Sequence, residues 1–290
     1  MLPKIDVNPN TLFAGNKGLP PLPEVVTKIQ EMIRTDNVDL KKISEMVTSD
    51  VSLVTQILKI VNSAYYGLTR EVTNLRFAIA YLGINEIYRI VMSLSVVSSF
   101  NVKDKGELKE FWRHSFYTAL CTKKLAKVYA RLEEVEDLWS CSLLHDVGKL
   151  VYLQFYPNHY MAIKNLCREK GILFSDAEKM LEAPSSSYLG TALADHWKLP
   201  VQIREACEYH TLGDLENLDP NHPRTEFRRI ICLGNLFSQF SEGFIADEQK
   251  EKIMQTIIDK TGCSNEEFLA HVADTQALQF EVEEFVRQVL

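Results

Sequence analysis

Apolar residues recur at steps of three and four along nearly the whole chain, with cap and turn residues between the runs. Pro23 and Glu24 open a segment in which Val25, Val26, Ile29 and Ile33 share one face. Asp39 is placed to cap a second helix, which carries Ile43, Met46 and Val47 inward. Ser49 and Asp50 precede a third, where Val54, Ile57, Leu58 and Val61 form an i, i+3, i+4, i+7 stripe that ends at Asn62 and Gly67. Thr73 and Asn74 start a short helix through Leu75, Ala78, Ile79 and Leu82, closed by Gly83. The next segment, 85–99, is apolar on nearly every face, which is the mark of a buried helix. After the polar run NVKDKGEL (101–108) the pattern predicts helices over 108–130, 134–147, 157–170, 175–183, 185–197, 200–210 and 223–241. A capping box is expected at Ser175-Asp176-Ala177-Glu178, first-turn prolines at 157 and 200, and a loop over TLGDLENLDPNHP (211–223). Residues 246–290 add two or three helices, the last marked by Phe280, Phe285, Val286 and Leu290, with Glu281, Glu283 and Glu284 on its solvated face. No stretch alternates as a strand does, so the expected fold class is all-α.

With 290 residues, 46% of them hydrophobic, the chain can fill a sizeable core. Its net charge of −7 argues against a surface built to neutralise phosphates, so nucleic acid is not an expected partner. The six cysteines form no C-x-x-C pair and fall at apolar positions, as reduced core thiols of a cytosolic protein do. The segment MLPKIDVNPN lacks the apolar core of a signal peptide, and IYRIVMSLSVVSSF (87–100) is shorter than a membrane span and contains Arg89. A soluble, cytoplasmic protein with no membrane partner is expected.

The candidate chemistry centres on SCSLLHDVGKL (140–150), because an adjacent imidazole and carboxylate among leucines are costly to desolvate unless each has a partner. A helix over 134–147 places Val135, Leu138, Trp139, Ser142 and Leu143 on one stripe, with His145 and Asp146 flanking its C-terminal end and pointing into protein. Gly148 lets another backbone approach, and Lys149 places a cation where a phosphate could meet it. His114 aligns with Thr118, Cys121 and Leu125, so it too faces a packed surface. His159, His196, His222 and His271 have no aligned partners and are read as surface or packing residues. The cluster Asn62, Ser63, Tyr65, Tyr66 and Gly67 is read as helix termination in preference to a ligand surface.

HDVGK resembles the H-D-x-G-K motif of HD-domain metal-dependent phosphohydrolases. LPPLPEVVTKI (19–29), SDVSLVTQILKIVNSAYYG (49–67), AIAYLGINEIYRIVM (78–92), FWRHS (111–115), SLLHDVGKL (142–150) and HWKLP (196–200) together resemble the HDOD family over residues 19–212. The resemblance implies a bacterial, all-helical signalling module related to HD and HD-GYP hydrolases. Its organisation would be an N-terminal helical lobe (1–104) packed on an HD-like core (105–245), with a C-terminal helical extension (246–290). Catalytic HD relatives carry a histidine four residues before a glycine, where this chain has Ser186 in SSYLG (186–190). Their later His-His pair corresponds to Tyr209-His210, and their last metal-binding aspartate to Asn235. The implied set is then His114, His145, Asp146, Asn235 and His210, enough for one divalent ion (iron, manganese, magnesium or zinc) and not for a two-metal clamp. The expectation is a regulatory protein without catalysis, acting on signalling-protein partners, with an ion or a small nucleotide-like ligand bound and Lys149 as the phosphate contact. The alternative is a metal-dependent phosphohydrolase acting on a nucleotide or cyclic dinucleotide.

Overall fold

A computed structural model describes residues 5, 12–13, 21–35, 39–130 and 137–289. The described residues are helical with no strand, which confirms the all-α class, and the chain divides into two compact units. The side chain of Ile33, together with Val135 and Leu290, lies outside the described residues. No single helix among the described residues is long and apolar enough to cross a membrane.

One unit comprises residues 19–101 and 281–290. It contains α1 (Glu24–Arg34), α2 (Leu40–Thr48), α3 (Val51–Val61), α4 (Leu75–Leu82) and α5 (Ile84–Ser98). The predicted caps form: Asp39 accepts from the N–H groups of Lys41 and Lys42, Asp50 from that of Leu53, and Asn74 from that of Phe77. Helix α5 is buried from Ile87 to Val97 except at Arg89, and packs on α1, α3 and α4. Asn62 ends α3 and clasps the following loop, its amide donating to the Val72 carbonyl at 2.9 Å and accepting the Val72 N–H at 2.7 Å. This is the termination role expected of the cluster.

The other unit comprises residues 1–18 and 102–280. Its helices are α6 (Lys105–Tyr129), α7 (Leu138–Leu144), α8 (Val147–Phe155), α9 (Pro157–Lys170), α10 (Phe174–Met180), α11 (Ser186–His196), α12 (Val201–Glu208), α13 (Leu212–Glu216), α14 (Thr225–Phe240), α15 (Asp247–Thr261) and α16 (Asn265–Gln276). A last helix, α17 (Gln279–Val289), follows. The long helices α6 and α14 lie side by side, and α7 contacts both. Helix α8 crosses α11, which packs on α12, and α12 returns to α7.

Four local expectations are corrected. The single helix expected over 134–147 ends at Leu144; His145 and Asp146 form a turn, and a separate buried helix, α8, begins at Val147. The expected capping box at Ser175–Glu178 is absent: Leu173 is the N-cap of α10, and Glu178 turns inward to accept the Ser186 N–H at 2.7 Å. The loop expected over 211–223 begins with α13, which Thr211 and Asp214 close with a capping box. Phe280 is 71% exposed and so is not part of the buried face that Phe285 and Val286 define.

Two glycines set the helix spacing around the polar centre. A Cβ on Gly148 would stand 1.9 Å from the Ser186 carbonyl oxygen, so α8 can approach α11 only with glycine there. A Cβ on Gly234 would stand 1.8 Å from Thr122 Oγ1 and 3.0 Å from Thr122 Cα, so α14 lies against α6 on the same condition. Gly234→Ala is therefore expected to destabilise the protein by about 1–3 kcal/mol in urea unfolding, as over-packed positions do. Gly243→Ala, with nothing within 4 Å of the added carbon, should change stability by less than about 0.5 kcal/mol.

Candidate metal centre

The fold of this second unit brings together every residue the sequence nominated. His114 comes from α6, His145 and Asp146 from the α7–α8 turn, Lys149 from the first turn of α8, His210 from the end of α12, and Asn235 from the middle of α14. Adjacent residues on a continuous helix diverge by about 100°. The break after Leu144 lets His145 and Asp146 face one centre instead.

Asp146 lies at the middle of the cluster. Its Oδ2 is 3.1 Å from His114 Nε2, 3.4 Å from His145 Nε2 and 2.6 Å from Lys149 Nζ. Its Oδ1 is 3.4 Å from His210 Nε2. His145 Nε2 is also 3.3 Å from His114 Nε2 and 3.3 Å from Asn235 Oδ1. The ligand atoms of His114, His145 and Asp146 all lie within 4.8 Å of one another.

Backbone carbonyls fix which atoms face inward. His145 Nδ1 donates to the Ser142 carbonyl at 2.6 Å, and His210 Nδ1 to the Ala206 carbonyl at 3.1 Å. A carbonyl can only accept, so the proton of each neutral ring is on Nδ1 and the Nε2 lone pair points at the centre. The Asn235 amide donates to the His210 carbonyl at 2.8 Å, which turns its Oδ1 inward. In their neutral forms the two rings thus present lone pairs that converge with a carboxylate and an amide oxygen, and the Lys149 ammonium, 2.6 Å from Asp146 Oδ2, offsets their mutual repulsion. The donor set fits a divalent ion.

His145, Asp146, Asn235 and His210 are buried, whereas the side chains of His114 and Lys149 are 15% and 16% exposed. Half-buried Glu242, with Oε1 3.7 Å from His114 Nδ1, stands on that more open side. Burial pulls the His114 imidazole down to about 4, only partly offset by Asp146. Burial opposes the Asp146 charge, but Lys149, His145 and His114 outweigh it and hold the carboxyl well below the usual range. For His210 burial also disfavours the charge, and the nearby Asp146 carboxylate reverses the balance and raises it.

Ser186 and Tyr209, the two positions at which the resemblance implies histidine in catalytic relatives, make other contacts. The backbone N–H of Ser186, itself buried, donates to Glu178, and the Tyr209 ring carries the Arg228 guanidinium 3.9 Å above it. Lys149, expected to meet phosphate, is bonded to Asp146 and lies 4.8 Å from the Phe174 ring centre. His159, His196, His222 and His271 are surface or packing groups, as expected: exposed His196 lies against Phe13, half-buried His159 against Tyr156 and His271 against Tyr129 and Phe237, and His222 bonds Arg228. The sequence reading missed Glu242 and Glu178, since neither lies on an apolar stripe with a nominated ligand.

A cavity of about 1020 Å³ opens elsewhere on the same unit, lined by Glu178, Tyr188, His196, Arg204 and Asp214 among others. None of the six polar residues of the centre lines it. Glu178 is the connection between them, because the α11 segment it holds at Ser186 abuts Gly148.

The chain belongs to the HDOD domain family, whose model matches residues 19–212. It is similar in fold to an HDOD domain protein of Geobacter sulfurreducens, at 20% identity and a TM-score of 0.69, over 94% of this chain and 93% of that one. A candidate signal transduction protein of Marinobacter aquaeolei VT8 aligns at 20% identity and a TM-score of 0.71, over 93% of this chain and 60% of that one. A candidate metal-dependent phosphohydrolase of Shewanella amazonensis SB2B aligns at 21% identity and a TM-score of 0.62, over 90% and 92% of the two chains. An uncharacterized protein of Treponema pallidum (strain Nichols) is 25% identical over 269 residues, so this chain spans about 50% of the length of the curated relative it matches.

The Glu178 carboxyl, 2% exposed, is pushed up to about 7 by burial, against the Ser186 hydrogen bonds and the Lys149 charge, which lower it. A raised carboxyl holds its proton in the folded state over a range where the unfolded chain has lost it, so this group's contribution to stability falls as pH rises from about 4.5 to about 7. Glu178→Gln mimics the protonated form and keeps an acceptor for the Ser186 N–H. The variant should gain up to about 3 kcal/mol relative to the wild type between pH 5 and pH 8. Urea unfolding at the two pH values measures the difference.

Proposed function

We propose that this chain is a regulatory HDOD protein whose buried centre holds a single divalent ion and which acts through contacts with signalling proteins, without hydrolysis. The observation that carries the reading is the convergence on one centre of His114, His145, Asp146, Asn235 and His210, with the His145 and His210 Nδ1 atoms and the Asn235 amide nitrogen turned outward to backbone carbonyls. Imidazoles mixed with a carboxylate and an amide oxygen suit iron, manganese or zinc better than magnesium, which prefers oxygen ligands throughout. The reading of no turnover rests on the replaced positions: with Ser186 held at Glu178 and Tyr209 under Arg228, neither supplies a ligand for a second ion.

In this reading His145 and His210 are held in the metal-binding tautomer by the Ser142 and Ala206 carbonyls, and Asn235 is oriented by the His210 carbonyl. An ion bound there would supply Lewis-acid chemistry, polarising a phosphate oxygen or lowering the pKa of water.

The alternative, a phosphohydrolase acting on a nucleotide or cyclic dinucleotide, is favoured by one feature: His114 and Lys149 are the more exposed members, on the side where a phosphate could enter. Elemental analysis after reconstitution is expected to find about one ion per chain, lost in Asp146→Asn. Nucleotides and cyclic dinucleotides should remain intact. Hydrolysis that disappears in Asp146→Ala would establish the alternative.

A further inference from the structure

Lys149 is the one cation in direct contact with the centre among the described residues, and it bonds the same oxygen that faces two of the imidazoles. Asp146 Oδ2 lies 2.6 Å from Lys149 Nζ, 3.1 Å from His114 Nε2 and 3.4 Å from His145 Nε2. We propose that the Lys149 ammonium is a surrogate cation for this centre: it neutralises Asp146 when no ion is bound, and a divalent ion must displace it, so that Lys149 sets how tightly the ion is held. The proposal rests on the reading of the cluster as a metal centre and adds the element that regulates it.

Three observations support it. The first is electrostatic: Asp146 is 2% exposed, and a buried carboxylate without a counter-charge is strongly disfavoured. The Lys149 ammonium makes the shortest of the contacts on that carboxylate, 2.6 Å against 3.1–3.4 Å for the imidazoles. The second is competition. A carboxylate oxygen already accepting a charge-assisted hydrogen bond is a weaker ligand, and an ammonium beside a dication repels it in a poorly hydrated site.

The third is that the lysine has somewhere to go. Its side chain is 16% exposed, on a flexible four-carbon stem, with the Phe174 ring centre 4.8 Å from the ammonium as a cation–π face. Half-buried Glu242 stands on the same open side as His114. Asp146 has no comparable freedom, because Gly148 ties its turn to α11. Displacement would therefore move the lysine and leave the ligand shell in place.

The test uses zinc or manganese(II) alone, titrated into the metal-free full chain in competition with a chromophoric chelator. Lys149→Met keeps the stem and removes the charge, and should bind the ion about tenfold or more tightly than the wild type. Lys149→Arg keeps the charge and should stay within about threefold of it. Without metal, Lys149→Met should melt below the wild type, and the gap should close as the ion saturates. A purely structural ion pair predicts the lower melting point without the tighter binding, so affinity in Lys149→Met equal to or below the wild type overturns the proposal. If Lys149→Met folds only with metal present, its rate of ion loss to excess chelator is measured instead. Slower loss than the wild type supports the proposal, and equal or faster loss overturns it. Absence of binding by both proteins overturns the metal reading itself and the proposal with it, whereas binding that ignores Lys149 overturns the proposal alone.

Discussion

The structure of the second unit depends on one buried negative charge. Asp146 is almost sealed from solvent, and nitrogen meets both oxygens of its carboxylate: two imidazoles and an ammonium on Oδ2, a third imidazole on Oδ1. Removing one partner of a buried charge costs about 3–5 kcal/mol, so these residues are bound to one another more strictly than apolar neighbours are. Helices α6, α8, α12 and α14 each supply or adjoin a member of the set, and the charge thereby fixes how they meet.

The helical class, the caps at Asp39, Asp50 and Asn74, and His114, His145, Asp146 and Lys149 were legible in the residue pattern, whereas His210 and Asn235 were reached only through the family resemblance. Periodicity carries the helices, and a His-Asp pair in an apolar run cannot be explained without partners. The hidden parts have a common physical origin. The break at His145-Asp146 has no proline or exposed polar run to announce it; it accompanies the passage of α8 against the Ser186 backbone at Gly148, a contact between residues 148 and 186 that are far apart in the chain. The Ser175–Glu178 spacing satisfies the capping rule locally, yet the Glu178 carboxylate finds a better-placed N–H at Ser186. In both cases a contact between helices overrides a local signal.

Lys149 shows the same limit for chemistry. Its place after H-D-x-G predicts a group aimed at a ligand, but the i to i+3 geometry of the first turn of α8 also puts it beside Asp146. Asn235 is the converse case. An asparagine is a poor ligand on charge alone, and what makes it a credible one is the His210 carbonyl, which decides which end of the amide faces inward.

The turn between α7 and α8 also divides the ligand set. His145 is the terminal residue of one rod, while Asp146 and Lys149 are both carried by the next, so the joint between the rods runs through the ligand set itself. The 3.4 Å between His145 Nε2 and Asp146 Oδ2 is therefore set by how α7 meets α8, and α8 is in turn held by its close packing on α11 through Gly148.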